Sequence, residues 1–183
     1  MARVMRIVED DKLGILTLVR LRVPSLFIGL VLGLALSFVT SEFEEVLQRN
    51  VEAVFFIPFI VYMADAMGTQ TQTIYTRGLT KGKARFLTYL VKETVLGILV
   101  GLLFGLLAAG AALLWFKSTA LGLAVGTAMF AAVGTAPVIA LIVTEVLELE
   151  HQDPAVGAGP IATVIQDVVS ITLFGLIASS ILL

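Results

Sequence analysis

The chain has 183 residues, of which 58% are hydrophobic and only 14% are charged, and its mean hydropathy is +1.03. Soluble domains carry about 25% charged residues, so this composition excludes a water-soluble domain and a disordered regulator. The net charge of -2 gives no electrostatic reason to expect nucleic acid as a partner, and zero cysteines with a single histidine, His151, exclude disulfides and multi-histidine metal centres. The composition predicts a polytopic protein of the lipid bilayer.

Five apolar stretches are long enough to cross a membrane as helices, which takes about 20 residues. In chain order they cover residues 24–40, 53–74, 92–116, 119–144 and 160–183. Residues 1–23 are charged throughout and lack the apolar core of a signal peptide. We therefore predict an all-α membrane domain of five helices over residues 24–183, preceded over residues 1–23 by a cytoplasmic lead-in that forms a short amphipathic helix at the membrane surface.

The orientation of the chain follows from its basic residues, because lysine and arginine accumulate on the cytoplasmic side. With five spans, Arg49 and Lys117 fall on one side of the membrane, and ten of the twelve basic residues fall on the other: Arg3, Arg6, Lys12, Arg20, Arg22, Arg77, Lys81, Lys83, Arg85 and Lys92. This distribution places the N-terminus in the cytoplasm and the C-terminus outside, in a multi-pass protein of the plasma membrane.

Two further patterns concern packing and the last loop. Glycines four residues apart within apolar helices indicate close helix packing or dimer contacts; they are Gly29 and Gly33, Gly97, Gly101 and Gly105, and Gly122 and Gly126.

After the fourth span, Glu145, Glu148 and Glu150 are interpreted as a solvated helix end, with cation sensing as the alternative, and His151 is interpreted as a solvated loop residue.

Two aspartates, Asp65 and Asp167, lie inside the predicted spans. A carboxylate there costs at least ~2.5–3.5 kcal/mol and therefore usually faces a polar cavity. Each follows a proline by seven residues, Pro58 and Pro160, so the two contexts match. Each proline leaves the carbonyl four residues earlier without a helical donor, which suits a polar cavity. Convergence of both carboxylates on one pore is the resulting hypothesis, against a chance coincidence of two similar sequences.

The polar residues around these aspartates indicate a hard cation. Thr163 and Gln166 precede Asp167, and Thr163 shares its helix face; a polar run over residues 68–73 follows Asp65. No lysine or arginine lies at comparable depth, so an internal salt bridge is not expected. Hydroxyl, amide and carboxylate oxygens suit Mg²⁺, which keeps several waters, but they equally suit Mn²⁺, Ca²⁺ or a proton relay.

Two motifs then resemble a known family, the MgtE magnesium channels, which are related to the animal solute carriers for magnesium. The first motif comprises Pro58, Gly68-Thr69-Gln70 and Arg77-Gly78-Leu79; the second comprises Asp153-Pro154-Ala155, Gly159-Pro160, Thr163 and Asp167. The second is the more specific, and the resemblance covers nearly the whole chain. The chain departs from many relatives at Ala66, where they carry asparagine, and at Gly159, where they often carry a polar residue.

The resemblance implies a homodimer in which each subunit contributes Asp167 to a pore on the dimer axis that holds hydrated Mg²⁺. The predicted metal-site residues are therefore Asp167, Asp65, Thr163, Gly159 and Gln166. Residues 1–22 are too few for the cytosolic sensor domains of studied members, so gating of that kind is expected only if a separate cytosolic partner supplies those domains or if the sequence is part of a longer protein.

Three functions remain as hypotheses at this point. The first is transport of Mg²⁺, or a similar divalent cation such as Mn²⁺, through a channel-like pore driven by the membrane potential. The chain has no P-loop for ATP, and no enzymatic activity is expected. The second is exchange of a divalent cation against Na⁺ or H⁺, and the third is a membrane scaffold assembled through the glycines.

Overall fold

All the secondary structure in the described part of the chain is α-helical. The computed structural model describes residues 13–149 and 154–183, with residues 154–160 described as backbone only. These ranges contain no strand and form seven helices: α1 (Ile15–Ser41), α2 (Glu44–Arg49), α3 (Val51–Val54), α4 (Ile57–Thr80), α5 (Phe86–Phe116), α6 (Thr119–Leu149) and α7 (Pro154–Leu182). Five segments are long and apolar enough to cross a membrane: Ile15–Ser41, Val51–Thr80, Phe86–Phe116, Thr119–Leu149 and Ile161–Leu182. The predicted all-α fold with five spans is confirmed.

The bounds of the first and last helices differ from the prediction. Helix α1 begins at Ile15 and continues through Pro24, so residues 15–23 of the predicted lead-in are continuous with the first apolar helix. Residues 1–12 lie outside the described residues. Helix α7 begins at Pro154, ahead of the predicted start at residue 160.

Helix α6 is the centre of the bundle. It packs against α4, α5 and α7, whereas α1 packs against α7 at the edge of the bundle. Many of the α6 residues that face the bundle are small, and Ala124, Ala128, Ala132 and Ala136 are fully buried. Their four-residue spacing puts them along one stripe of the helix. Small side chains let neighbouring backbones approach in lipid, where burial of apolar surface gives little drive for association.

The glycines of α5 pack this helix onto α6, as the four-residue spacing predicts. A methyl group added at Gly101 would lie 2.8 Å from the carbonyl oxygen of Phe130, and one added at Gly105 would lie 2.7 Å from the carbonyl oxygen of Gly126. The two helices are joined by Lys117 and Ser118 alone, and Lys117 adopts the left-handed conformation, with φ 53. The glycine contacts therefore hold an antiparallel helical hairpin together within one chain.

Candidate cation site between α4, α6 and α7

The proline of the first motif starts the helix that carries Asp65. Helix α3 ends at Val54, and α4 begins at Ile57 with Pro58 in its first turn. A proline at this position costs little, because the first N–H groups of a helix have no partner within the helix. Pro58 therefore fixes where α4 begins, two helical turns before Asp65.

Asp65 and Thr163 bring the two motifs into direct contact. The Thr163 hydroxyl on α7 donates a hydrogen bond of 3.0 Å to the Asp65 Oδ1 on α4. Asp167 follows Thr163 by one turn of α7, so it lies on the same side of that helix as the residue that bonds Asp65. Both aspartates are half-buried. The structure thus places two like charges, carried by antiparallel helices, in the same part of the bundle.

Neither aspartate is neutralised by a basic side chain within the described ranges. The ion pair between Arg49 and Glu45 lies on α2, and no interaction of Asp65 or Asp167 with lysine or arginine occurs among residues 13–149 and 161–183. The sequence predicts this, since no basic residue lies at comparable depth. Carboxylates without a basic partner inside spanning helices are costly, and they usually mark an ion pathway or a proton relay.

Gln166 supplies a third oxygen to this region. Its side chain is 3% exposed, and its Nε2 donates hydrogen bonds to the Ala132 carbonyl at 3.3 Å and to the Ser170 hydroxyl at 3.0 Å. A carbonyl oxygen can only accept a hydrogen bond, so the nitrogen of the Gln166 side-chain amide faces Ala132. The Oε1 atom of the same amide is left buried without a donor from the described residues. A buried acceptor without a partner costs about 1–3 kcal/mol, so Oε1 is suited to accept from water or to bind a cation.

A small cavity lies between these groups. Its volume is about 10 Å³, and its lining residues come from α4, α6 and α7: Asp65, Gly68, Thr69, Gln72, Ala136, Ile139, Ala140, Ala162, Thr163 and Gln166. This is space for about one water molecule. A hydrated Mg²⁺ ion is too large for a space of this volume.

The predicted site residues therefore divide into three groups. Asp65, Thr163 and Gln166 share the cavity, whereas Asp167 lies outside its lining. Gly159 lies in the part of α7 that is described as backbone only, and Asp153 and His151 lie outside the described residues. Within the described ranges, no group of three or more aspartate, glutamate or histidine side chains converges on one point. One chain thus offers a cation two carboxylates and no closed cage.

Two further carboxylates, at Glu93 and Glu145, make contacts between helices that the sequence does not predict. Glu93 on α5 is 9% exposed and accepts a hydrogen bond of 2.7 Å from the Thr71 hydroxyl. Glu145 on α6 is half-buried and accepts one of 2.5 Å from the Tyr75 hydroxyl. The prediction that Glu145 belongs to a solvated helix end is wrong, because this residue lies against α4. The sequence pattern that could have indicated both contacts is the pair Thr71 and Tyr75. These two hydroxyl-bearing residues stand four residues apart, on one face of α4.

The fold and the site define a class of protein: a polytopic helical membrane protein with two carboxylates between its spanning helices that have no basic partner in the part of the chain that the structure describes. Comparison with known proteins narrows this class. The profile of the MgtE family, described as divalent cation transporters, matches residues 57–177. The chain belongs to the MgtE family.

Two curated relatives agree with this assignment. The magnesium transporter MgtE of Bacillus subtilis is 28% identical over 162 residues, and that of Enterococcus faecalis is 27% identical over 161 residues. The matches cover 87% and 86% of the present chain, but 36% of each relative. The chain thus spans about a third of the length of these relatives, both of which are named as transporters.

Proposed function

We propose that the chain transports Mg²⁺ across the plasma membrane through a pathway lined by Asp65 and Asp167. The observation that carries this proposal is the pair of half-buried carboxylates without a basic partner in the described ranges. Membership of a divalent cation transporter family supports the same conclusion. A permeating cation would supply the positive charge that Asp65 and Asp167 lack among their neighbours in the described ranges.

The arrangement of oxygens favours an ion that keeps part of its water shell. Mg²⁺ typically uses one or two carboxylates and retains several waters, and one chain offers the two carboxylates of Asp65 and Asp167. A second copy of the chain would add its own Asp167 and close the pathway, so the proposed unit is a homodimer. Inward movement of two charges across 100 mV is worth about 4.6 kcal/mol, which suffices for a channel-like mechanism without ATP.

The direct test is ion flux into liposomes that contain the purified protein and a fluorescent magnesium indicator. A potassium diffusion potential, negative inside, is expected to increase the initial rate of Mg²⁺ entry, because the ion carries two positive charges. Protein-free liposomes under the same potential provide the baseline. Entry at the protein-free rate would contradict the proposal.

The substitution Asp65→Asn is expected to change ion preference more than it reduces flux. Asparagine keeps an oxygen that accepts the Thr163 hydrogen bond, so the helix contact survives while one negative charge is lost. We expect Mg²⁺ flux to fall by less than about tenfold, which corresponds to ~1.4 kcal/mol, and the ratio of Mg²⁺ to Ca²⁺ flux to change. The exposed Glu52 provides the matched control, Glu52→Gln. An unchanged flux ratio would exclude Asp65 from the pathway.

Coupled exchange is the second candidate function, and the small cavity is the observation that favours it. Asp65 and Gln166, whose Oε1 atom has no donor among the described residues, both line a space for about one water molecule, and a dehydrated Na⁺ ion is of similar size. If the chain is an exchanger, Mg²⁺ flux in liposomes will follow an imposed Na⁺ or pH gradient at zero voltage. A channel will respond to voltage and ignore both gradients.

A further inference from the structure

Helix α4 is held to its neighbours by two hydrogen bonds to carboxylates that the proposed pathway does not use. The Thr71 hydroxyl donates to Glu93 on α5, and the Tyr75 hydroxyl donates to Glu145 on α6. Thr71 and Tyr75 are each 1% exposed. They stand one helical turn apart, so both contacts act on the same face of α4.

This anchored face is different from the face that carries the candidate site. A residue in an α-helix is rotated by roughly 100° from the one before it. On this scale Asp65, Thr69 and Gln72 share one face of α4, and the face of Thr71 and Tyr75 lies about a quarter of a turn away. Rotation of α4 about its axis therefore moves Asp65 relative to Thr163 and stretches both carboxylate contacts at the same time.

The hydrogen bonds from Thr71 to Glu93 and from Tyr75 to Glu145 restrain the orientation of α4. Apolar contacts are non-directional, whereas a hydrogen bond to a carboxylate requires a defined distance and angle. The neighbouring rings strengthen the arrangement, because Tyr75 packs edge-on against Tyr89 at a centroid distance of 5.0 Å. Within the described ranges, no third acidic or histidine side chain joins Glu93 and Glu145 to form a metal site.

We propose that Glu93 and Glu145 are positioning residues that set the rotation of α4 and thereby hold Asp65 opposite Thr163. This inference rests on the proposed function, since it concerns the geometry of the same cation pathway. It assigns a role to two carboxylates that lie outside the pathway. Removal of Glu93 or Glu145 is expected to let α4 rotate and so to change the direction in which Asp65 points.

Single thiol reporters test the rotation directly, because the chain contains no cysteine. Thr69→Cys places a thiol at an exposed position of α4, and Met67→Cys places one at a position that is 7% exposed. With a charged, water-soluble thiol reagent, the thiol at position 69 is expected to react faster than the thiol at position 67. If position 69 is unreactive in the otherwise unchanged chain, no aqueous pathway reaches α4, and the proposed function is overturned together with the positioning role.

The positioning role itself is tested by the double variant Thr71→Val with Glu93→Leu. Removal of both partners leaves no unpaired buried charge, so the variant retains a satisfied core. The ratio of the two labelling rates is expected to change at least threefold, and the Mg²⁺ concentration for half-maximal flux is expected to rise at least fivefold. Tyr75→Phe, which removes the donor to Glu145, is expected to change the labelling ratio in the same direction as the double variant. The single variant Glu93→Gln keeps an acceptor for the Thr71 hydroxyl and is expected to retain the original ratio.

Thr144→Val is the matched control, because the Thr144 hydroxyl is buried but bonds the Ala140 carbonyl of its own helix. It should leave the labelling ratio unchanged. If position 69 is reactive and the ratio stays constant in both the double variant and Tyr75→Phe, the positioning role is overturned while the proposed pathway stands.

Discussion

Substitution of Asp167 by alanine is expected to reduce Mg²⁺ flux by about tenfold or more, the largest functional effect of any single change in the chain. Asp167 is half-buried within a spanning helix, has no basic partner in the described ranges, and lies one turn beyond the Thr163 that bonds Asp65. In a homodimer each substitution removes two charges from the pathway. A tenfold loss corresponds to only ~1.4 kcal/mol, less than the cost of burying one carboxylate in a membrane.

The measurement is initial Mg²⁺ entry into liposomes at equal amounts of reconstituted protein. Glu42→Ala removes a carboxylate from the exposed end of α1 and controls for the loss of charge alone. Asp167→Glu, which keeps the charge on a longer side chain, is expected to retain more flux than alanine. Full transport by Asp167→Ala would refute the assigned pathway.

The sequence predicted the part of the site that depends on short-range patterns. The match between the contexts of Asp65 and Asp167 identified two helices that the structure brings together, and Thr163 and Gln166 were recognised as polar residues in an apolar helix. Their partners could not be predicted. The contact of Gln166 with Ala132, on a helix distant in sequence, depends on the packing of α7 against α6.

The two missed carboxylates show a second limit of sequence reasoning. Glu93 follows Lys92 near the start of α5, and Glu145 stands near the end of α6, so both resemble residues at the membrane surface. Glu93 on α5 contacts Thr71 on α4, and Glu145 on α6 contacts Tyr75 on α4. Both contacts depend on how these helices are rotated relative to one another, which the sequence does not specify. The bounds of α1 were missed for another reason, since charged residues before Pro24 hid an apolar stretch that continues the helix.

The hairpin of α5 and α6 gives the prediction with the largest expected effect on stability. A side chain at Gly105 would meet the carbonyl oxygen of Gly126 at 2.7 Å, and the next nearest atom is the Phe130 Cβ at 3.1 Å. A backbone carbonyl within a helix cannot move aside as a flexible side chain can. Gly105→Leu is therefore expected to separate the two helices and to cost about 3 kcal/mol, the upper end for overpacking.

A cost of that size should lower the melting temperature of the detergent-solubilised protein by roughly 6–12 °C, and circular dichroism at 222 nm measures the loss of helix. Gly110→Leu on the same helix is the control, because a methyl group there meets nothing within 4 Å. Leucine also has a higher helix propensity than glycine, by up to about 1 kcal/mol, so this control should melt at the original temperature or above it. Equal melting of the two variants would mean that close approach of α5 and α6 at Gly105 contributes nothing to the stability of the bundle.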